Sequence, residues 1–218
     1  MLTCNLYNGT ADPRALAAVL ASTTPDVVVA QELAPNAADV LAAALPYGRL
    51  DPALNSTGIG IALRYPGAVE PFAMRQRDGL STILDPAQWP TLHSALEVVT
   101  VHLANPIDRP LGQTRRLRRS QVASIVGHVA RMTQPLVVAG DLNATPAWPV
   151  YRRLTRVMRD GVHDTGTVKR TWGPRWWWPR LLRIDHVLVR GGVRVVRAET
   201  ISIRGSDHSG LLVDLDVG

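Results

Sequence analysis

Oxygen ligands and imidazoles recur in five short polar clusters along the chain. They are Asn5, Gln31-Glu32, His102, Gly140-Asp141-Leu142-Asn143, and Asp185 with Ser206-Asp207-His208. Carboxylates, amides and imidazoles suit Mg²⁺ or Mn²⁺, with Ca²⁺ as a further candidate, better than Zn²⁺, which favours cysteine and clustered histidine. Each cluster alone is more often a turn, a helix cap or a surface histidine. Together they predict hydrolysis of a phosphate ester at a divalent cation.

The elements that must position these clusters are apolar strands. Residues 26–30 and 135–139 have the pattern of strands buried on both faces, and residues 96–102 form another strand candidate. Each of the three ends at one of the polar clusters. Further strand patterns are found at residues 2–7, 58–64, 81–84, 184–189, 193–203 and 211–215. The strands therefore act as a scaffold that holds polar groups at its rim.

Helical patterns alternate with these strands. Asp12-Pro13 supplies an N-cap and a first helical residue, and further helices are predicted over residues 36–45, 113–132 and 148–154. The helix at 113–132 begins with a strongly basic stretch that includes Arg115 and Arg119. We predict that these two arginines bind substrate. The residues alone indicate a mixed α and β fold.

Composition fits one globular domain covering residues 1–218, with 46% hydrophobic and 19% charged residues. Lys169 is the only lysine among 24 basic residues, against 18 acidic ones. Arginine binds phosphate in a two-pronged way, so this balance suits a polyanionic partner, although a GC-rich genome would produce the same bias. Cys4 is the only cysteine, so no intrachain disulfide can form.

The chain has no apolar run of the roughly 20 residues that span a bilayer and no signal-peptide pattern at its start. We therefore expect this chain to be soluble. Its compartment stays open, and so does an upstream targeting or membrane segment.

The order and spacing of the polar clusters resemble the endonuclease/exonuclease/phosphatase superfamily over nearly the whole chain. The matching motifs are Thr-Cys-Asn (3–5), Gln-Glu (31–32), Val-His-Leu (101–103), Gly-Asp-Leu-Asn-Ala-Thr (140–145), Arg-Ile-Asp-His (183–186) and Ser-Asp-His (206–208). This resemblance implies an α+β fold, a four-layer sandwich of two mainly antiparallel sheets packed face to face with helices outside. It also implies a site at one rim.

The resemblance further implies a role for each matching residue. The expected metal ligands are Asn5, Glu32 and Asp207. The expected catalytic residues are His102, Asp141, Asn143, Asp185 and His208. Among these, Asp141 is the candidate general base, and His208 contacts the phosphate while Asp185 fixes its tautomer. We expect Asp141 and Asn143 to point the same way from an extended segment.

His102 has two expected roles, as a phosphate ligand or as the acid for the leaving group. In the related deoxyribonuclease-I-like and sphingomyelinase-like branches a glutamate supports this histidine. Glu70 and Glu97 are the only glutamates between Glu32 and His102 in this chain. The sequence does not show that either one reaches the ring.

A loop rich in tryptophan and arginine, at residues 171–179, precedes the strand that carries Asp185. Trp172, Trp176 and Trp177 are predicted to bind substrate, with Trp178 beside them. Three interpretations are open. The indoles stack on bases while nearby arginines hold phosphates, they lie in a membrane interface, or they pack on the domain as a lid.

The leading hypothesis is a monomeric nuclease or related phosphodiesterase that cleaves DNA or RNA, with nucleic acid as its partner. The alternative is a lipid or small-molecule phosphoesterase, tethered to a membrane in its full-length form. A third hypothesis, a binding module without catalysis, is disfavoured by the intact set of polar clusters.

Overall fold

Two six-stranded sheets form the centre of the computed structural model, which describes residues 1–107, 110–166 and 169–218. In spatial order the first sheet contains β11 (Val193–Ser202), β12 (Ser209–Val217), β1 (Leu2–Asn5), β2 (Val27–Gln31), β4 (Ile59–Leu63) and β3 (Tyr47–Asp51). The second contains β5 (Val69–Phe72), β6 (Gly79–Leu84), β7 (Leu96–His102), β8 (Leu136–Asp141), β10 (Asp185–Arg190) and β9 (Arg159–Asp160).

Both sheets are mainly antiparallel, and each contains one parallel pair. In the first sheet β1 runs parallel to β2, with Asn5 opposite Gln31. In the second sheet β7 runs parallel to β8, with His102 opposite Asp141. Parallel neighbours end at the same edge of a sheet, so each pair delivers two polar residues to one place. These four strand ends supply the central part of the site.

Helices cover the outer faces of the two sheets. They are α1 (Pro13–Thr23), α2 (Pro35–Ala44), α3 (Leu111–Arg131) and α4 (Pro149–Leu154). The short helix α5 (Gly161–Asp164) instead packs Val162 into the apolar cluster between the sheets, and a 3₁₀ turn covers Tyr7–Gly9. The Asp12 carboxylate accepts a hydrogen bond from Arg14 N at 2.9 Å, and Pro13 begins α1, as its sequence predicts. No described helix is both long enough and apolar enough to cross a membrane.

Three apolar clusters separate four layers. The central cluster joins the sheets through residues such as Val29 and Ile61 of the first and Val98 and Val137 of the second. The outer cluster of the first sheet contains apolar residues of α1 and α2. The outer cluster of the second contains apolar residues of α3 and α4. This confirms the predicted four-layer α+β sandwich.

Most predicted strands and helices are present, with ends shifted by a few residues. The strands β3 and β5 were not predicted from the sequence, and neither were the two-residue β9 and the four-residue α5. The residues of β3 and β5 are mostly exposed or half-buried. Both are edge strands that pair along one side only. Their backbone hydrogen bonds to the neighbouring strand, more than an apolar pattern, keep them extended.

Candidate active site

A cleft of about 460 Å³ opens at the edge where the two parallel strand pairs end. Eight residues were predicted as ligands or catalytic groups, and six of them line this cleft: Glu32, His102, Asp141, Asn143, Asp207 and His208. The other two, Asn5 and Asp185, lie directly behind and hydrogen-bond to lining residues. Side chains separated by up to about two hundred positions in sequence thus meet in one place.

Asn5 connects the first sheet to the second. Its Nδ2 donates to Glu32 Oε1 at 3.3 Å and to Asp141 Oδ2 at 3.1 Å, and its Oδ1 accepts from Tyr7 N at 3.0 Å. Burial raises the pKa of the Glu32 carboxyl above its usual range, while the Asn5 hydrogen bond opposes that shift. Asn5 therefore holds two carboxylates close together that would otherwise repel.

Asp141 and Asn143 meet through a tight turn. Asn143 N donates to Asp141 Oδ1 at 2.7 Å, and Asn143 Nδ2 lies 3.3 Å from Asp141 Oδ2. The prediction that this segment is extended is wrong, because Asn143 has a left-handed φ of 47°. Burial, followed by the nearby Asp185 charge, raises the pKa of Asp141 to about 7.

Gly140 allows the strand before this turn to approach its neighbour. Its φ is +139°, and a Cβ atom at this position would lie 2.1 Å from the carbonyl oxygen of Val101. No other residue type fits there without moving β7. The glycine of the Gly-Asp-Leu-Asn motif is therefore a requirement of the packing.

His208 forms a buried ion pair with Asp185, with 2.8 Å between Nδ1 and Oδ2. Burial alone would lower the pKa of His208, but the Asp185 carboxylate raises it to about 9. Ser206 fixes the turn that carries His208, since its hydroxyl donates to Asn5 O at 2.7 Å and accepts from His208 N at 3.1 Å. The result is a cationic imidazole aimed at the cleft.

His102 has the opposite environment. Arg77 Nη1 lies 2.8 Å from His102 Nδ1, and Arg77 also donates to Ser56 Oγ at 2.6 Å. Burial, followed by the positive charge of Arg77, lowers the pKa of His102 to about 3. The ring is therefore neutral.

Neither candidate glutamate is placed to support His102. Glu97 Oε1 lies 2.8 Å from His128 Nε2 on the helix-covered side of β7, and Glu70 is exposed on β5. Successive side chains of a strand point to opposite faces, and residues 97 and 102 are five positions apart. This alternation, readable from the sequence, already separates Glu97 from the ring.

Strained backbone is concentrated around the cleft. Among the described residues, six non-glycine residues have positive φ, and four of them line the cleft: Tyr7, Asn8, Glu32 and Asn143. Such conformations cost free energy and persist where the surrounding structure enforces them, most often at functional sites. The strain agrees with the polar geometry in marking this edge as the functional part of the molecule.

The donor set of the cleft fits a hard divalent cation. Glu32 Oε2 and Asp207 Oδ1 are buried and have no hydrogen-bond partner among the described residues. Asp141, Asp185 and His208 also bring one ligand atom each within 4.8 Å of one another. The ion pair in this second group occupies His208 Nδ1 and Asp185 Oδ2. Among the residues that line the cleft, Glu32 and Asp207 therefore offer carboxylate oxygens that are free to bind a cation.

Comparison with known proteins agrees with this geometry. The sequence profile of the Endonuclease/Exonuclease/phosphatase family matches residues 2–208. The chain belongs to that family. Its members are phosphoesterases, so the chain is a phosphoesterase and the cleft is its candidate active site.

Solved structures with the same fold cover nearly all of the chain. An endonuclease/exonuclease/phosphatase protein from Bacteroides vulgatus has a TM-score of 0.77 and 18% identity, covering 100% of this chain and 98% of its own. D. rerio TDP2 in complex with a single-strand DNA product has a TM-score of 0.74 and 18% identity, covering 99% and 98%. Sphingomyelinase C from Streptomyces griseocarneus has a TM-score of 0.64 and 17% identity, covering 97% of each chain. No curated protein matches the chain by sequence.

The tryptophan loop divides into two parts. Trp172 lines the cleft, and its Nε1 donates to Asp207 Oδ2 at 3.0 Å. Trp176, Trp177 and Trp178 lie on the outside and are 42%, 58% and 49% exposed. These exposures contradict the interpretation in which the indoles pack on the domain as a lid.

Two arginines near this loop have structural roles that the sequence did not indicate. Arg180 donates to the carbonyl oxygens of Ser206 and His208 at 2.9 and 3.1 Å, so it fixes the turn that carries His208. Arg183 is buried against Asp160. Because both guanidinium groups are engaged within the protein, neither is free to hold a substrate phosphate.

Arg115 and Arg119 lie outside the cleft. They line an adjoining groove that shares Pro106 and Trp148 with it. Arg118, between them in sequence, is buried and donates to the carbonyl oxygens of Ala104 and Asn143. Arg118, which contacts Asn143, and Arg77, which contacts His102, were not predicted from the sequence, because single arginines outside a motif carry no signal of their position.

Proposed function

We propose that this phosphoesterase is a divalent-metal-dependent phosphodiesterase that acts on DNA or RNA. The observation that carries the proposal is the set of groups around Asp141 Oδ2. This oxygen lies 3.5 Å from His102 Nε2 and 3.9 Å from His208 Nε2, and Glu32 Oε1 lies 3.7 Å from His102 Nε2. Carboxylates and imidazoles interleaved in this way suit a phosphate that needs both a cation and hydrogen-bond donors.

Glu32, Asn5 and Asp207 would hold Mg²⁺ or Mn²⁺, with Ca²⁺ as a further candidate. Support comes from the buried, unpartnered oxygens of Glu32 and Asp207 and from the preference of these ions for oxygen ligands. A bound dication offsets negative charge on a phosphate oxygen and on the departing alkoxide. Its charge would also lower the raised pKa values of the surrounding carboxyls.

Asp141 is the proposed general base. Its carboxylate takes a proton from a water as the water oxygen bonds to phosphorus and the opposite P–O ester bond breaks. Asn143 donates to both oxygens of Asp141 through its backbone N–H and side-chain amide, which fixes the direction of the carboxylate. The departing alkoxide takes its proton from solvent in the open cleft.

The two histidines serve the phosphate differently. His208, kept cationic by Asp185, stabilises the charge that develops on the phosphate oxygens. His102 is neutral, and Arg77 Nη1 lies closer to Nδ1, at 2.8 Å, than to Nε2, at 3.2 Å. Nδ1 therefore accepts from Arg77, and Nε2 carries the ring proton on the side of the cleft. We therefore favour His102 as a phosphate ligand over a role as the leaving-group acid.

Nucleic acid is the proposed substrate because of what surrounds the cleft. Arg115 and Arg119 lie in the adjoining groove, and the indole of Trp172 lies in the cleft wall. The same fold holds a single-strand DNA product in D. rerio TDP2. Cationic walls and an aromatic face are the two features that bind a strand of nucleic acid.

A parallel assay tests this proposal. Plasmid DNA, single-stranded DNA, RNA, bis-p-nitrophenyl phosphate, and vesicles of phosphatidylcholine or sphingomyelin are incubated with Mg²⁺, with Mn²⁺ or with EDTA. We expect metal-dependent cleavage of nucleic acid that disappears in Asp141→Asn protein purified identically, which controls for contaminating nucleases. Turnover of lipid alone, or nucleic-acid cleavage that survives EDTA, would overturn the proposal.

A lipid phosphodiesterase is the second candidate, and one surface favours it. Trp176, Trp177, Trp178, Leu181 and Leu182 are all exposed, and Leu182 also lines the cleft. Arg175 lies over the Trp177 ring and Arg204 over the Trp176 ring. Exposed indoles flanked by arginines suit the headgroup region of a membrane.

Vesicle binding separates this candidate from the first. If lipid is the substrate, the double variant Trp177→Ala/Trp178→Ala should lose vesicle binding and lipid turnover. The matched control is Ile83→Ala/Val196→Ala, which removes two apolar side chains that are 53% and 60% exposed elsewhere. Equal vesicle binding by both double variants would remove this candidate.

A further inference from the structure

A groove leads away from the active-site cleft between α3 and α4. Its first part, about 460 Å³, shares Pro106 and Trp148 with the cleft and is walled by Arg115 and Arg119. Its second part, about 450 Å³, shares Arg119 with the first. Arg152, Arg153 and Arg156, in or just after α4, line this second part. We call the two parts together the arginine groove.

In the stretch of chain that forms most of this groove, arginines greatly outnumber acidic residues. Residues 110–158 contain eight arginines and a single acidic residue, Asp141. The five groove arginines are exposed, and no carboxylate of the described residues forms an ion pair with them. The groove therefore presents cations that fold stability does not require.

The placement of Arg115 supports a role in binding. It is the fifth residue of α3, a helix with no acidic residue in its first turn. Arg115 and Arg119 are one turn apart, about 6 Å along the axis, so both can face the groove.

We propose that the arginine groove binds the sugar-phosphate backbone of a single strand of nucleic acid whose scissile phosphate lies in the cleft. This inference rests on the proposed function and adds the path of the substrate. The arginines supply phosphate contacts that do not depend on sequence. Trp148, which is 38% exposed where the groove meets the cleft, offers its indole to an unpaired base. A base in a duplex cannot stack in that way.

Arg118 connects the groove rigidly to the turn from Asp141 to Asn143. Its buried guanidinium donates to Ala104 O, to Leu142 O at 3.3 Å and to Asn143 O at 3.0 Å. Arg118 also lines the first part of the groove. Phosphates held along α3 therefore set the position of the phosphate beside Asp141, so that binding energy from remote nucleotides orients the reacting one.

The test compares two double variants that each remove two exposed arginines. Arg119→Gln/Arg153→Gln changes the groove, whereas Arg14→Gln/Arg131→Gln changes α1 and the far end of α3. Binding of labelled single-stranded oligonucleotides is measured by anisotropy in EDTA, where no hydrolysis occurs, as a function of salt. The groove variant should bind about tenfold more weakly, and the slope of log K against log salt should fall by about 1.4 for two lost contacts. The control should match the wild type.

Turnover provides the second measurement. The groove variant should raise KM for long oligonucleotides far more than KM for bis-p-nitrophenyl phosphate, because that substrate is too small to reach the groove. The control variant Arg14→Gln/Arg131→Gln should leave both KM values at the wild-type level. The groove assignment is overturned if the two double variants have equal effects. It is also overturned if the wild-type protein binds anionic vesicles but not oligonucleotides. If oligonucleotides bind through the groove and no nucleic acid is cleaved, the proposed function fails while the groove assignment stands.

Discussion

Two buried clusters of charged groups lie on opposite sides of the segment from Asp141 to Ala144, and they differ in how their carboxylates are satisfied. In the supporting cluster, Asp160 is paired with Arg183 and accepts a hydrogen bond from Tyr151 Oη at 2.7 Å. Burial opposes ionisation there, but the His186 hydrogen bond and the Arg183 charge hold the pKa of Asp160 well below its usual range. In the active site, burial instead raises the pKa values of Glu32 and Asp207.

The difference distinguishes carboxylates that stabilise the fold from carboxylates that are available to bind a ligand. A buried carboxylate without a partner is costly, so folding alone does not favour Glu32 Oε2 or Asp207 Oδ1. The supporting cluster touches the active site through His186, whose Nε2 lies 2.8 Å from Ala144 O. The cluster in which Asp160 is paired therefore supports the cluster in which Glu32 and Asp207 have unpartnered oxygens. Mutations in the first should lower stability, and mutations in the second should lower activity.

The largest effect is expected for Asp141→Asn in the active site. Loss of the general base should lower kcat on bis-p-nitrophenyl phosphate by about a thousandfold. The fold should remain, because the substitution keeps the side-chain shape and removes one of two neighbouring carboxylates. Turnover and circular dichroism measure the two effects. A variant that turned over at the wild-type rate would show that Asp141 is not the base.

The next largest effect is expected for Asp160→Asn in the supporting cluster. It leaves the buried Arg183 charge without its partner, which should cost about 3 to 5 kcal/mol in the free energy of unfolding. Urea denaturation measures this loss. The control is Asp164→Asn, which breaks an exposed pair with Arg159 and should cost less than about 1 kcal/mol. Equal losses would mean that the two pairs stabilise the fold to the same extent.

A metal should stabilise the protein through the active-site cluster alone. At a Mg²⁺ concentration a hundred times its Kd, the free energy of unfolding should rise by about 2.7 kcal/mol. Asp160→Asn should keep this increment, whereas Glu32→Ala should lose it along with activity. Denaturation with MgCl₂ and with EDTA provides the readout without any substrate. The ligand assignment is wrong if Glu32→Ala gains as much from Mg²⁺ as the wild type.

The smallest effect is expected in the acid dependence of stability. The pKa of Asp160 is lower in the folded than in the unfolded chain, so its contribution is present above the unfolded value of about 3.9 and is lost as pH falls toward the folded value. Between about pH 5 and pH 2 the wild type should lose stability more steeply than Asp160→Asn. Urea midpoints across this range measure the slope, and parallel curves would contradict the assignment.

The strands that carry the site could be predicted because their signal is local. Residues 96–102 are predicted and observed as one strand, and the polar clusters at strand ends are visible in the chain itself. The edge strands β3 and β5 could not be predicted in this way, because their stability comes from pairing with β4 and β6. The family resemblance supplied the four-layer arrangement, which periodicity alone does not define.

The sequence by itself determined which residue types stand at the strand ends and which family they match. Only the tertiary structure decided what surrounds them. His102 and His208 are both buried to a similar degree, at 6% and 5% exposure, and both end or follow a short polar motif. One faces Arg77 and the other faces Asp185, so one is neutral and the other is cationic. Electrostatic interactions depend on distances between residues far apart in the chain, and those distances exist only in the folded protein.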